Sequence, residues 1–137
     1  MKELSSLSLL ISSIIQECSL KKLIGGDEFF KSQSAGLPFV LVGLGKMAYC
    51  LSREIKREDL LIEPFIVTKK IPSNPISSWK IVTGSHPDIG SESLSAGREL
   101  LSYIDKAQRS GDHEMLVALT GGASALAEVL PNGVSEA

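Results

Sequence analysis

The stretch Phe39-Val40-Leu41-Val42-Gly43-Leu44-Gly45-Lys46-Met47-Ala48 decides the fold class. Its first four residues are an unbroken apolar run, the profile of a strand buried on both faces. The run ends on two glycines, and residues 46–57 then carry Met47, Cys50, Leu51 and Ile55 at helical spacing. A buried strand that breaks on glycine into a helix is the start of a βαβ unit, which requires a parallel neighbour.

Working outward, the same alternation repeats. Phe65-Ile66-Val67-Thr68 reads as a second strand and Lys80-Ile81-Val82-Thr83 as a third, with Pro72, Asn74 and Pro75 marking a loop between them. Residues 91–109 form the clearest helix, with Leu94, Gly97, Leu101 and Ile104 on one face. Ser91 is placed as its N-cap, Glu92 adds negative charge to its first turn, and Ser110-Gly111-Asp112 stops it. Met115-Leu116-Val117-Ala118-Leu119 is a fourth strand, followed by Thr120-Gly121-Gly122-Ala123-Ser124 and a new helix start. The pattern predicts an α/β fold: a Rossmann-like, doubly wound, mainly parallel sheet with strand 39–42 at its centre. Upstream, Leu4, Leu7, Ile11, Ile14, Ile15 and Cys18 recur at helical spacing and predict an amphipathic helix. Serines interrupt that segment well short of the ~20 apolar residues a membrane helix needs, and neither a basic start nor a cleavage site marks a signal peptide.

The 137 residues suit one domain, and 43% apolar with 22% charged residues is the balance of a soluble globular protein. A net charge of −2 gives no basic field, so neither nucleic acid nor a membrane is expected as partner. Cys18 and Cys50 make no disulfide framework and no zinc spacing, and no metal ligands are assigned. A reduced, cytoplasmic setting fits.

Three loops lie after strands, where open parallel sheets bind ligands. Gly43-Leu44-Gly45-Lys46-Met47-Ala48 satisfies G-x-G-x-x-A, in which glycines let backbone N–H groups approach a phosphate at a helix start. The next strand ends in Thr68-Lys69-Lys70 and lacks the acidic residue that holds the ribose of NAD, though NADP suits a lysine there. Lys46 supplies a cation beside that loop, against the alternative of a solvated lysine next to a packing turn. Thr120-Gly121-Gly122-Ala123-Ser124 is a second anion-binding candidate, N–H groups flanked by hydroxyls, against a turn whose glycines serve geometry alone. Gly84-Ser85-His86-Pro87 brings a histidine to the same edge, for substrate binding or proton transfer, against a solvated loop. His113 precedes the fourth strand, at the opposite edge, and reads as structural.

Taken together the loops resemble the amino-terminal domain of the two-domain D-glycerate 2-kinases, also labelled hydroxypyruvate reductases. The residues that carry the resemblance are 42–48, then Gly84-Ser85-His86-Pro87, then Ser93-Leu94-Ser95-Ala96-Gly97. Leu119-Thr120-Gly121-Gly122-Ala123-Ser124-Ala125-Leu126 and Pro131-Asn132-Gly133-Val134-Ser135 follow in collinear order. Thr120 stands where the family has Ser, Ala123 where it has Gly, and Ile89-Gly90 where a Pro-Asp pair follows His-Pro. The resemblance implies transfer of the ATP γ-phosphoryl group to the C2 hydroxyl of D-glycerate, with Mg²⁺ bridging the phosphates. It implies Lys46 as the catalytic cation, with Gly43, Gly45, Ser85, His86, Thr120, Gly121, Gly122, Ala123 and Ser124 holding substrate or phosphate. Members of the family carry a second domain across the cleft, with an Arg thought to act on the phosphates. On that comparison residues 1–137 are an incomplete domain, inactive alone, with a homo-oligomer or a missing carboxyl-terminal domain as its protein partner. Two other readings stay open: an NADP-dependent reductase built on Gly43, Gly45 and Ala48, and a non-catalytic remnant that binds small anions.

Overall fold

A computed structural model of the chain describes residues 36–55, 59–131 and 133–134. The helix expected between residues 4 and 18 lies outside them. Four strands form one sheet: β1 (Phe39–Leu44), β2 (Phe65–Thr68), β3 (Lys80–Thr83) and β4 (Glu114–Leu119). All neighbours are parallel and the order is β3-β2-β1-β4, so β1 is central and the order reverses direction beside it. That order is the one with which doubly wound sheets begin. The expected α/β class and parallel sheet are borne out, with β1 two residues longer than the apolar run and β4 starting one residue earlier.

Helices cover both faces. α1 (Ala48–Arg53) follows β1, α2 (Ser91–Gln108) links β3 to β4, and α3 (Ala123–Leu126) follows β4. On the α2 side, Val40, Val42, Phe65 and Val67 meet Ala96, Tyr103, Ala107 and Leu126. On the α1 side, Ala48 and Tyr49 pack on Ile66, with Ile76, Trp79 and Ile81 around them. Strand residues alternate between these two clusters, and this two-sided burial is why β1 and β2 are apolar throughout.

Three sequence expectations need correction. The first helix ends at Arg53, because the N–H of Ile55 turns back to the Ser52 carbonyl and carries Ile55 into the interior. Gly90, with extended backbone, is the N-cap of α2, and Ser91 is its first helical residue. The buried stripe of α2 runs through Leu94, Gly97, Tyr103 and Ala107, and Leu101 is 49% exposed. A tyrosine displaces the leucine because its hydroxyl, at the far end of the buried ring, donates to the Glu63 carbonyl at 2.8 Å while the ring lies 5.1 Å from that of Phe65.

Burial first, and the Glu63 carboxylate second, push the Tyr103 phenol from 10.0 to about 12. The folded chain therefore holds a proton that the unfolded chain releases at lower pH. The stabilisation is complete below pH ~10 and is lost as pH rises toward the folded value. Urea-unfolding midpoints of the chain are expected to fall between pH 10 and 12 more steeply than those of Tyr103→Phe. Parallel slopes for the two proteins would refute the assignment.

Candidate functional site

Because every strand runs the same way, Leu44, Thr68, Thr83 and Leu119 end at one edge of the sheet, and the three expected loops start there. The first and third are stitched together. The Thr120 N–H donates to the Leu44 carbonyl at 2.8 Å, the Lys46 N–H to the Gly121 carbonyl at 3.0 Å, and the Met47 N–H to Thr120 Oγ1 at 3.1 Å. Gly45 takes φ 124° where the two loops cross, so close to Thr120 that a methyl there would overlap its side chain and carbonyl.

This stitching revises how the glycine loop works. The N–H of Gly45 donates to the Val67 carbonyl and that of Ala48 to the Gly45 carbonyl. With Lys46 and Met47 engaged as well, the whole turn from 45 to 48 spends its amides inside the protein. Gly43 lies within β1, buried, where a side chain would strike Ile66 and Ser52, so it serves close contact between strand and helix. A phosphate at this loop would meet the Lys46 side chain, with no cradle of amides behind it.

The third loop is different. Gly122 is left-handed, at φ 88°, and among the described residues no acceptor takes the N–H of Gly121, Gly122, Ala123 or Ser124. A methyl on Gly122 would sit 3.0 Å from Lys46 Cε and 3.1 and 3.2 Å from His86 Cδ2 and Nε2. Lys46 and the His86 ring thus converge over the glycine whose neighbours have free amides: one cation, one imidazole and a group of N–H donors. Such a set is chemically able to bind a carboxylate or a phosphoryl oxygen, with an imidazole beside it.

The second loop is anchored by Ser93, to which the sequence gives no site role of its own. Ser93 is fully buried in the first turn of α2, and its Oγ accepts the Ser85 N–H at 3.0 Å and donates to the Ser85 carbonyl at 3.2 Å. The backbone of Ser85, the residue before His86, is thereby tied to the first turn of α2. Thr120 gives a hydroxyl lone pair to Met47 and ties the loops, while Ser124 is exposed on α3. His113 sits at the start of β4, its ring nitrogen 2.8 Å from the Gly111 carbonyl, away from this edge as expected.

Comparison with known proteins agrees with the resemblance. A family model described as a domain of unknown function (DUF4147) matches residues 10–137. A glycerate 2-kinase of Picrophilus torridus is 28% identical over 98 residues, which are 69% of this chain and 23% of that protein. A glycerate kinase crystal structure from Thermotoga maritima has a TM-score of 0.75 at 23% identity, covering 98% of this chain and 32% of the other. A Pyrococcus horikoshii protein gives a TM-score of 0.57 at 28% identity, over 71% of this chain and 22% of its own. The chain therefore spans about a quarter to a third of the length of these relatives.

Proposed function

The chain belongs to the DUF4147 family, and from its likeness to a glycerate 2-kinase we propose that it forms the amino-terminal part of a cytoplasmic glycerate 2-kinase, which moves the ATP γ-phosphoryl group to the C2 hydroxyl of D-glycerate. The observation that carries this reading is the convergence of Lys46 and His86 on Gly122, beside the unengaged amides of 121–124. D-Glycerate is a small carboxylate with two hydroxyls. Its carboxylate suits the amides, and its reacting hydroxyl then lies toward His86, which takes the hydroxyl proton as the oxygen attacks phosphorus. Lys46 offsets the charge that spreads over the phosphoryl oxygens, where positioning and charge neutralisation account for most of the catalysis.

Among the described residues no three His, Cys, Asp or Glu side chains are grouped to hold a metal. Mg²⁺ commonly keeps several waters and relies on substrate phosphates, so in this reading the nucleotide brings it. When bound, it would supply charge neutralisation to the phosphates.

Calorimetric titration of the chain with D-glycerate tests the acceptor assignment. Binding is expected, and His86→Ala is expected to weaken it by about tenfold, the value of one hydrogen bond to a charged ligand. Unchanged affinity in that variant would remove His86 from the site. Tighter binding of NADPH than of ATP would favour the reductase reading instead.

A further inference from the structure

A second concavity opens on the α1 side of Lys46. It is a cavity of about 520 Å³ between α1 and the loop that follows β2, within the ~300–1,000 Å³ range of small-molecule sites. Three cations line it: Lys46, Arg53 and Lys70. None of the three pairs with a carboxylate among the described residues, and no acidic residue lines the cavity. Cations gathered around one cavity repel each other, and an anion is what relieves them. The loop after β2, which carries Lys70, also brings apolar surface to the cavity, with Ile71 52% exposed and Pro72 beside it.

That loop is pinned rather than loose. The Tyr49 hydroxyl donates to the Asn74 carbonyl at 3.0 Å and accepts the Ile76 N–H at 3.1 Å, which ties the loop to α1. The Arg53 guanidinium lies 5.8 Å from the centre of the same ring, so the cation is seated as well. The glycine-loop amides are spent internally, so phosphate recognition on this side falls to side chains, and these three are in place for it.

We propose that this cavity holds the polyphosphate of a nucleoside triphosphate, with Lys46, Arg53 and Lys70 on the phosphates and Ile71 and Pro72 against the sugar or base. The assignment rests on the kinase reading and extends it. Lys46 both lines this cavity and lies over Gly122, which makes it the one residue shared by donor and acceptor sites. A phosphoryl group in transit passes between those sites, and a cation common to both stays with it.

Trp79 is the only tryptophan, and its ring meets that of Tyr49 edge-on at 5.7 Å, so its fluorescence is a native reporter of the cavity. The chain is titrated with ATP, inorganic tripolyphosphate and NADPH, by fluorescence and by calorimetry. ATP is expected to bind most tightly and tripolyphosphate measurably. Arg53→Ala and Lys70→Ala are each expected to weaken both by about tenfold, as loss of a charge-assisted contact does. Lys69→Ala removes the same charge from the neighbouring residue, which does not line the cavity, and is expected to change little. Equal weakening by Lys69→Ala and Lys70→Ala would reduce the effect to a general field and overturn the site. NADPH binding tighter than ATP would overturn the choice of ligand.

The two readings fail separately. Tripolyphosphate binding that needs Arg53 and Lys70, in a chain that takes no glycerate, supports the cavity and sinks the kinase. Glycerate binding through His86, with ATP affinity indifferent to Arg53 and Lys70, sinks the cavity assignment alone.

Discussion

Residues 1–137 supplied with ATP, Mg²⁺ and D-glycerate are expected to show no turnover above background. A polypeptide continued through the second domain that the family resemblance implies is expected to phosphorylate glycerate, and Lys46→Ala in it to cost about 100-fold or more, as removal of a charge-stabilising group does. The difference is one of geometry. Donor and acceptor must be held in line, and orientation lowers the barrier by roughly 7–11 kcal/mol when the reacting atoms are kept in contact. The candidate site offers Lys46, His86 and the amides of 121–124 along one sheet edge, with Thr120 and Ser124 exposed or half-exposed beside them. An open edge leaves water in the site, which weakens every charge interaction there. A coupled ADP-release assay checks both polypeptides. Turnover by the short chain at the rate of the long one would refute the half-site reading. Full activity of the long one with Lys46→Ala would take Lys46 out of the mechanism.

The parts of this fold that could be read in advance are those decided locally. Phe39 to Val42, Phe65 to Thr68 and Ile81 to Thr83 are apolar or β-branched runs too short for helices, and each lies in the expected strand. What could not be read depends on distant partners. Leu101 outranks Tyr103 as an apolar residue, yet Tyr103 is buried, because the Glu63 carbonyl that satisfies its hydroxyl is 40 positions away. The G-x-G-x-x-A pattern correctly marks a turn into a helix. Its amides are not available to a ligand, since Val67, Thr120 and Gly121 accept three of them and the G-x-G-x-x-A pattern includes none of those residues. Ser93 looked like any serine near a helix start until its hydroxyl proved to bracket both backbone groups of Ser85. Arg53 and Lys70 were missed as a pair for the same reason. One lies on a short helix and the other past the end of β2, and only the loop pinned by Tyr49 places them around one cavity.

Two glycines at this edge are expected to respond to the same substitution in opposite ways. Gly45→Ala is expected to cost stability, about 3 kcal/mol or more from a strained positive φ together with overpacking. At φ 124° an alanine is already strained, and its methyl would meet the Thr120 carbonyl carbon at 2.7 Å, a backbone group fixed by its place after β4. To make room the loops must part, breaking the bonds from Lys46 N–H to Gly121 and from Met47 N–H to Thr120. For a domain stable by ~5–15 kcal/mol, a loss of that size is a large shift in the urea midpoint. Gly122→Ala meets no backbone. The atoms nearest its methyl are Lys46 Cε and the His86 ring, at 3.0 to 3.2 Å, and both are ends of side chains that swing aside. The φ of 88° adds about 1 kcal/mol of strain and little else to the folding cost. The swing itself moves the cation and the imidazole off the free amides, so glycerate affinity is expected to drop by about tenfold or more, the worth of a charge-assisted contact. Chemical denaturation and calorimetric titration of both variants separate the two effects. A Gly122→Ala chain that keeps wild-type affinity would show that the convergence over Gly122 is not where the ligand sits, and a Gly45→Ala chain with an unchanged midpoint would show that the two loops are not held together at Thr120.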